Sequence, residues 1–200
     1  MRPHRLLIPA GVVVLAAVGF LGIHGHQTRS ALAIAADKPA PLPPISQANL
    51  PARFAVLSRR HSNQCGLAGA SIRTLPTSGR LQGSCCDPMD YARYVGQVNG
   101  LARFARIEEV PRDPYDISVR QARSLLAYDQ TITLTPAQQK TYRRAMSLAS
   151  EHGPCCCHCW RWYAFEGQGR ELIARRHWSA SEVAAVWDLE DGCGGKKGQA

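Results

Sequence analysis

Ten consecutive residues, Gly153-Pro154-Cys155-Cys156-Cys157-His158-Cys159-Trp160-Arg161-Trp162, hold four of the chain's eight cysteines, with a histidine before the last of them. A second group, Cys85-Cys86, lies in Gly83-Ser84-Cys85-Cys86-Asp87-Pro88, and Cys65 and Cys193 stand alone. Neighbouring side chains on any regular element point in different directions, so runs of adjacent cysteines are not explained by core packing. The chemistry they offer is that of thiols: soft-metal binding, disulfide formation or thiol exchange.

Each group follows a glycine and precedes an expected helix, Cys85-Cys86 before an Asp87-Pro88 start and Cys155 to Cys159 after Pro154. Free N–H groups and the positive helix end favour thiolate there, the form that binds metals and attacks disulfides. On a helix, Cys156 and Cys159 would share a face, as would Cys155 and Cys159, while Cys157 and His158 would point elsewhere.

Three readings follow. In the preferred one, Cys85, Cys86, Cys155, Cys156, Cys157, His158, Cys159 and Cys193 gather around copper(I) or zinc, ions suited to thiolate and imidazole, with Met89 as a thioether for copper. In the second, all eight cysteines form structural disulfides, two parallel cross-links joining the two groups. In the third, Cys156 and Cys159 form a catalytic dithiol exchanging with substrate proteins. An enzyme is thus the less favoured outcome. Covalent haem is not expected, because Trp160 stands where the Cys-x-x-Cys motif needs a histidine. An iron–sulfur cluster fits an oxidising compartment poorly.

Few other residues compete for a role. Trp160, Trp162, Tyr163 and Phe165 read as an aromatic core beside the cysteines. Asp87, Asp90, Asp113 and Asp116 read as caps and turn residues, and His24, His26 and His152 as solvated or helix-end histidines. Serine-hydrolase, phosphate-loop and zinc-protease motifs are absent.

The elements that must position the cysteines are helical. Asn49 and Pro51 open a short helix to about Arg60, and the glycine- and proline-broken stretch from His61 to Gly83 reads as loop, with Cys65 tied to a partner. A helix is expected from Asp87-Pro88 to Ile107, another from Asp116 or Ser118 through Tyr128. Thr135 and Ser179 open capping boxes, the first helix ending at Gly153. Between those two helices Pro154 begins a further one, interrupted at Gly167 and Gly169. The one weak strand signal is Thr131-Ile132-Thr133-Leu134. The fold class expected is mainly α: a small bundle of about four to five helices with irregular N-terminal coverage.

Leu6 to Ile23 carry no charge and as a helix would span about 27 Å, close to a bilayer's hydrocarbon thickness. Arg2 and Arg5 precede them, which holds the N-terminus inside and sends the domain across. Ala33-Ile34-Ala35 offers a signal-peptide cleavage site, but Arg29 and two histidines intervene, so a retained anchor is preferred. The layout expected is residues 1–30 as membrane anchor or signal segment, 31–52 as Pro-rich linker, 53–195 as Cys-rich helical domain and 196–200 as flexible tail.

The location expected is a single-pass membrane protein with its domain on the extracytoplasmic side, secreted if the segment is cleaved. Outside the cytoplasm, thiols pair unless a metal holds them. The net charge of +9 is mostly arginine at helical spacing, suited to acidic headgroups or cell-wall polymers. No nucleic-acid-binding motif is present. The partners expected are the membrane, through the N-terminal helix, and a protein that donates or accepts the metal.

Overall fold

The computed structural model describes residues 41–195. The apolar run Leu6–Ile23, His24, His26, Arg29 and the tail from Lys196 lie outside them. Among the described residues no helix is long and apolar enough to cross a membrane.

Among the described residues there are seven α-helices, where about four to five were expected, and two short strands: α1 Leu50–Leu57, α2 Gly69–Thr74, β1 Arg80–Gln82, α3 Tyr91–Leu101, β2 Asp116–Ser118, α4 Val119–Thr131, α5 Pro136–Leu148, α6 Trp160–Arg176 and α7 Ala180–Glu190. The fold is therefore mainly helical, as the periodicity implied. The capping boxes form as read, with the Thr135 hydroxyl accepting from Gln138 N and Ser179 from Glu182 N. Each such cap stabilises its helix by about 1 kcal/mol.

Helix α6 is the central element. It packs along α4 and is also covered by α2, α5 and α7. Trp160, Phe165, Leu172 and Trp187 are fully or almost fully buried there. The glycines expected to break this helix do not. A Cβ on Gly167 would lie 2.0 Å from the Leu125 carbonyl oxygen, and one on Gly169 would lie 2.4 Å from the Trp187 ring. Glycine there lets α4 and the Trp187 indole approach the helix closely, and packing outweighs the propensity cost of about 1 kcal/mol per glycine.

Other expectations are corrected. The stretch read as loop from His61 to Gly83 contains α2 and β1, and β1 pairs antiparallel with β2 in the register Leu81 to Ile117. Thr131 to Leu134 forms no strand, Thr131 being the last residue of α4. Asp87-Pro88 does not open α3. The Asp87 N–H donates to the Cys193 carbonyl and the Pro88 carbonyl accepts from Gly195 N, so those peptide groups are taken. The helix starts at Tyr91, where the Asp90 carboxylate accepts from Arg93 N at 2.8 Å.

The Pro-rich stretch ends against the domain: Leu42 and Ile45 pack on a small core of Leu50, Leu57, Tyr94, Val98 and Tyr115. Met89 packs there too. Arg53, 4% exposed, ties α1 to β2 by donating to Asp113 Oδ2 at 2.7 Å and Asp116 Oδ2 at 3.2 Å.

Candidate metal centre

The cysteine-rich stretch is a loop. Pro154 starts no helix. Cys159 N–H turns back to the Cys157 carbonyl at 2.9 Å, Trp160 N–H donates to the Leu67 carbonyl at 2.9 Å, and Cys159 is the N-cap of α6. Residues 155–157 therefore wind around one point instead of spiralling along a helix. The helical pairing expected for Cys156 with Cys159 does not occur: Cys156 Sγ lies 2.6 Å from Cys193 Sγ.

The two cysteine groups meet. Cys86 Sγ is 3.9 Å from both Cys156 Sγ and Cys157 Sγ, and Cys85 Sγ is 3.7 Å from Cys193 Sγ. Cys155 Sγ is 3.4 Å from Cys193 Sγ. Cys65, tied to a partner as expected but not counted among the ligands, contributes a sulfur 3.0 Å from Cys157 Sγ. Four sets of three thiols have all their sulfurs within 4.8 Å of one another: Cys65-Cys86-Cys157, Cys85-Cys155-Cys193, Cys86-Cys156-Cys193 and Cys155-Cys156-Cys157. Metal–sulfur bonds of about 2.3 Å set neighbouring sulfurs roughly 3.8–4.0 Å apart; the 3.7 and 3.9 Å separations fit thiolates around an ion, while Cys156–Cys193 and Cys65–Cys157 are closer than that.

Two of the expected ligands stand apart. His158 is exposed and lies against the Trp162 ring, centroids 4.0 Å apart, and belongs to none of the four triads. Cys159 is buried and also outside them.

Distant elements hold the sulfurs in place. Segments 85–89 and 192–195 are stitched by their main chains, Cys85 N to Gly192 O at 3.0 Å, Cys86 N to Cys193 O at 3.2 Å and Gly195 N to Pro88 O at 2.8 Å. Gly194, at φ +82°, allows this: a Cβ there would lie 2.0 Å from the Asp87 carbonyl oxygen. From α3, Arg93 pairs with the Asp191 carboxylate and Gln97 donates to the Asp191 carbonyl at 2.6 Å. Asp191 in turn accepts from Cys193 N at 2.9 Å. Cys65 is brought in by Asn63, whose amide donates to the Gly83 carbonyl and accepts from Trp160 Nε1. The Cys65 N–H then donates to the Cys85 carbonyl at 3.2 Å.

The thiol hydrogen bonds converge on Cys193. Donation by Cys155 and Cys85 pulls its thiol down to about 5. Cys155 is lowered too, chiefly by its bond with Cys159. The surrounding sulfurs of Cys155, Cys159 and Cys193 push Cys85 far up, its thiol donating to Cys193 at 3.7 Å, and burial pushes up Cys86, Cys156 and Cys157. The low values therefore arise from sulfur-to-sulfur bonding, and helix ends are not their source. A hydrogen bond to the charged form favours that form.

Beneath the sulfurs lies Arg161, 1% exposed. Its guanidinium donates to the Pro114 carbonyl at 2.9 Å and to the Glu190 carbonyl, and stacks over Phe165 at 4.9 Å. Burial disfavours its charge, but attraction by Cys85, Cys155, Cys193 and Cys159 outweighs that and raises its pKa. Burial pushes the carboxyl of Glu190, a buried acid on α7, well above the usual carboxylate range. The attraction that raises the pKa of this cation comes from the cysteine cluster, and no carboxylate pairs with it among the described residues. Sequence spacing gave no hint of it beyond an arginine between two tryptophans.

A cleft of about 1240 Å³ between α3 and α7 reaches the sulfurs at Cys156 and Cys193. Asp87, Glu151, Asp188 and Asp191 line it alongside Arg93 and Arg103.

The chain matches no family model, no curated protein and no solved structure.

Proposed function

We propose that this is a copper(I)-binding protein that captures the ion through clustered thiolates and holds it for transfer or detoxification on the extracytoplasmic face of a membrane. The observation that carries the reading is the overlap of the four thiol triads. Thiolate-only donor sets select soft ions, and three-sulfur sets suit copper(I), whereas structural zinc takes four ligands. The buried Arg161 supports it further, since a thiolate trio around a monovalent ion keeps negative charge that a fixed cation offsets.

The membrane setting rests on the uncharged run Leu6–Ile23 behind Arg2 and Arg5. A protein that hands over or receives the ion is the partner this role requires.

Titration of the reduced whole chain with copper(I), against a coloured copper(I) chelator under anaerobic conditions, tests the binding. The chain is expected to strip the chelator, and zinc is expected not to displace the bound copper.

One observation favours a second reading, a disulfide-stapled domain. Cys156 lies 2.6 Å from Cys193 and Cys65 lies 3.0 Å from Cys157, sulfur to sulfur, and an oxidising compartment would close such pairs. A thiol count and elemental analysis on protein purified without reductant separate the two. Metal with free thiols supports the copper reading; neither metal nor thiol supports the staple.

A further inference from the structure

Burial is graded across the triads. In Cys65-Cys86-Cys157 two thiols are exposed and one half-buried; in Cys86-Cys156-Cys193 two exposed thiols join a buried one; in Cys85-Cys155-Cys193 one is half-buried and two are buried. Successive triads share a corner, Cys86 between the first two and Cys193 between the last two. Two sulfurs on one ion are separated by at most about 4.6 Å for bonds of about 2.3 Å. Within the linking triad, Cys86 to Cys156 at 3.9 Å already has the spacing of two sulfurs on one ion, while Cys156 and Cys193, at 2.6 Å, must open by about 1.3 Å to admit it.

Resting on the copper reading above, we propose that the centre is a polynuclear relay. It takes up copper(I) at the surface triad Cys65-Cys86-Cys157 and passes it through Cys86-Cys156-Cys193 to the buried triad Cys85-Cys155-Cys193. More than one ion is held at once. In the first hop the ion keeps its bond to Cys86, gains bonds to Cys156 and Cys193 and loses those to Cys65 and Cys157. In the second it keeps Cys193, gains Cys85 and Cys155 and loses Cys86 and Cys156. Arriving thiols that still carry a proton, such as Cys156, pass it to the departing thiolates, water supplies the remainder, and no electron moves. The shared sulfur means the ion is never released to water, where copper(I) would be lost to other ligands. The surface triad accounts for Cys65, which a single buried site would not need.

The test uses the reduced, anaerobic whole chain, copper(I) supplied as its acetonitrile complex, native mass spectrometry for the ion count, and the emission of solvent-shielded copper(I)–thiolate for filling of the buried triad. Wild type is expected to hold at least two ions. Cys65→Ser and Cys86→Ser, both at exposed positions that spare the fold, are expected to slow the rise of emission by about tenfold or more without lowering its final level. Cys155→Ser is expected to keep a surface ion and lose the emission.

A single ion in wild type overturns the relay. So does emission rising at the wild-type rate in both surface variants, which would mean that the ion is admitted directly through the cleft at Cys156. A wild-type chain that binds no copper(I) at all defeats the copper reading itself, and is thereby distinguished from either result.

Discussion

Arg161 reaches Glu190 through the main-chain carbonyl, while the Glu190 carboxyl is left to accept from Gln168 Nε2 at 2.7 Å. The guanidinium thus has no carboxylate partner among the described residues, and the charges that favour it are those of the neighbouring cysteines. Arg161→Met is expected to destabilise the reduced, metal-free protein by about 3–5 kcal/mol, the cost of stranding a buried charge's partners. It should also lower the number of thiolates titrated by ultraviolet absorbance at neutral pH, and Arg161→Lys should restore part of that number. A purely structural role would move the unfolding midpoint and leave the thiolate count intact.

In the metal-free protein, Cys193 holds its proton only below about 5, against a usual thiol value near 9. A depressed value means that this group stabilises the fold at high pH and that its contribution disappears as pH falls through about 5. The stability difference between wild type and Cys193→Ser should therefore widen as pH rises from about 5 to about 9. Denaturant unfolding at a series of pH values measures it; a difference that is flat over this range would refute the assignment.

Away from the sulfurs, Arg53→Ala removes the buried partner of Asp113, which is 1% exposed. The expected loss is about 3–5 kcal/mol. The copper(I) count of the protein that remains folded should be unchanged, because this network joins α1 to β2 and touches no cysteine. Thermal unfolding and native mass spectrometry on the same sample check both halves.

Gly194→Ala places a methyl group against the Asp87 carbonyl at a positive φ. The expected result is a fold retained with the stitching of segments 85–89 and 192–195 opened and Cys193 displaced. Copper(I) affinity should then fall by about tenfold or more, while Gly66→Ala, with nothing within 4 Å of the new Cβ, leaves it unchanged.

Helices were legible wherever a cap and a periodic face coincided. Thr135 with Gln138, Ser179 with Glu182 and Ser118 ahead of Val119 all mark helix starts that form. The misreadings share a cause. Asp87-Pro88 and Pro154 carry good start signals, but their peptide groups are claimed by segments far along the chain, and local propensity does not report such claims. Residue type suggested that the two cysteine groups and Cys193 share a chemistry, and the fold, through the main-chain pairing of segments 85–89 and 192–195, brings them together. Cys65 was not legible, because a lone cysteine in a broken stretch carries no spacing signal; Asn63 and Trp160 place it. His158 looked like a ligand by adjacency, and a loop conformation sends it to Trp162 instead.

The pairing of Cys85 to Pro88 with Gly192 to Gly195 also fixes an order of events. Two of the triads contain Cys193, and its position depends on main-chain bonds that no shorter chain can make. During synthesis the earlier thiols emerge without their final neighbour, exposed to mispairing until the last turn of α7 has passed. On the proposed reading, the two triads that share Cys193 form only once residues 192–195 are in place, and a chain lacking them keeps only Cys65-Cys86-Cys157 and Cys155-Cys156-Cys157.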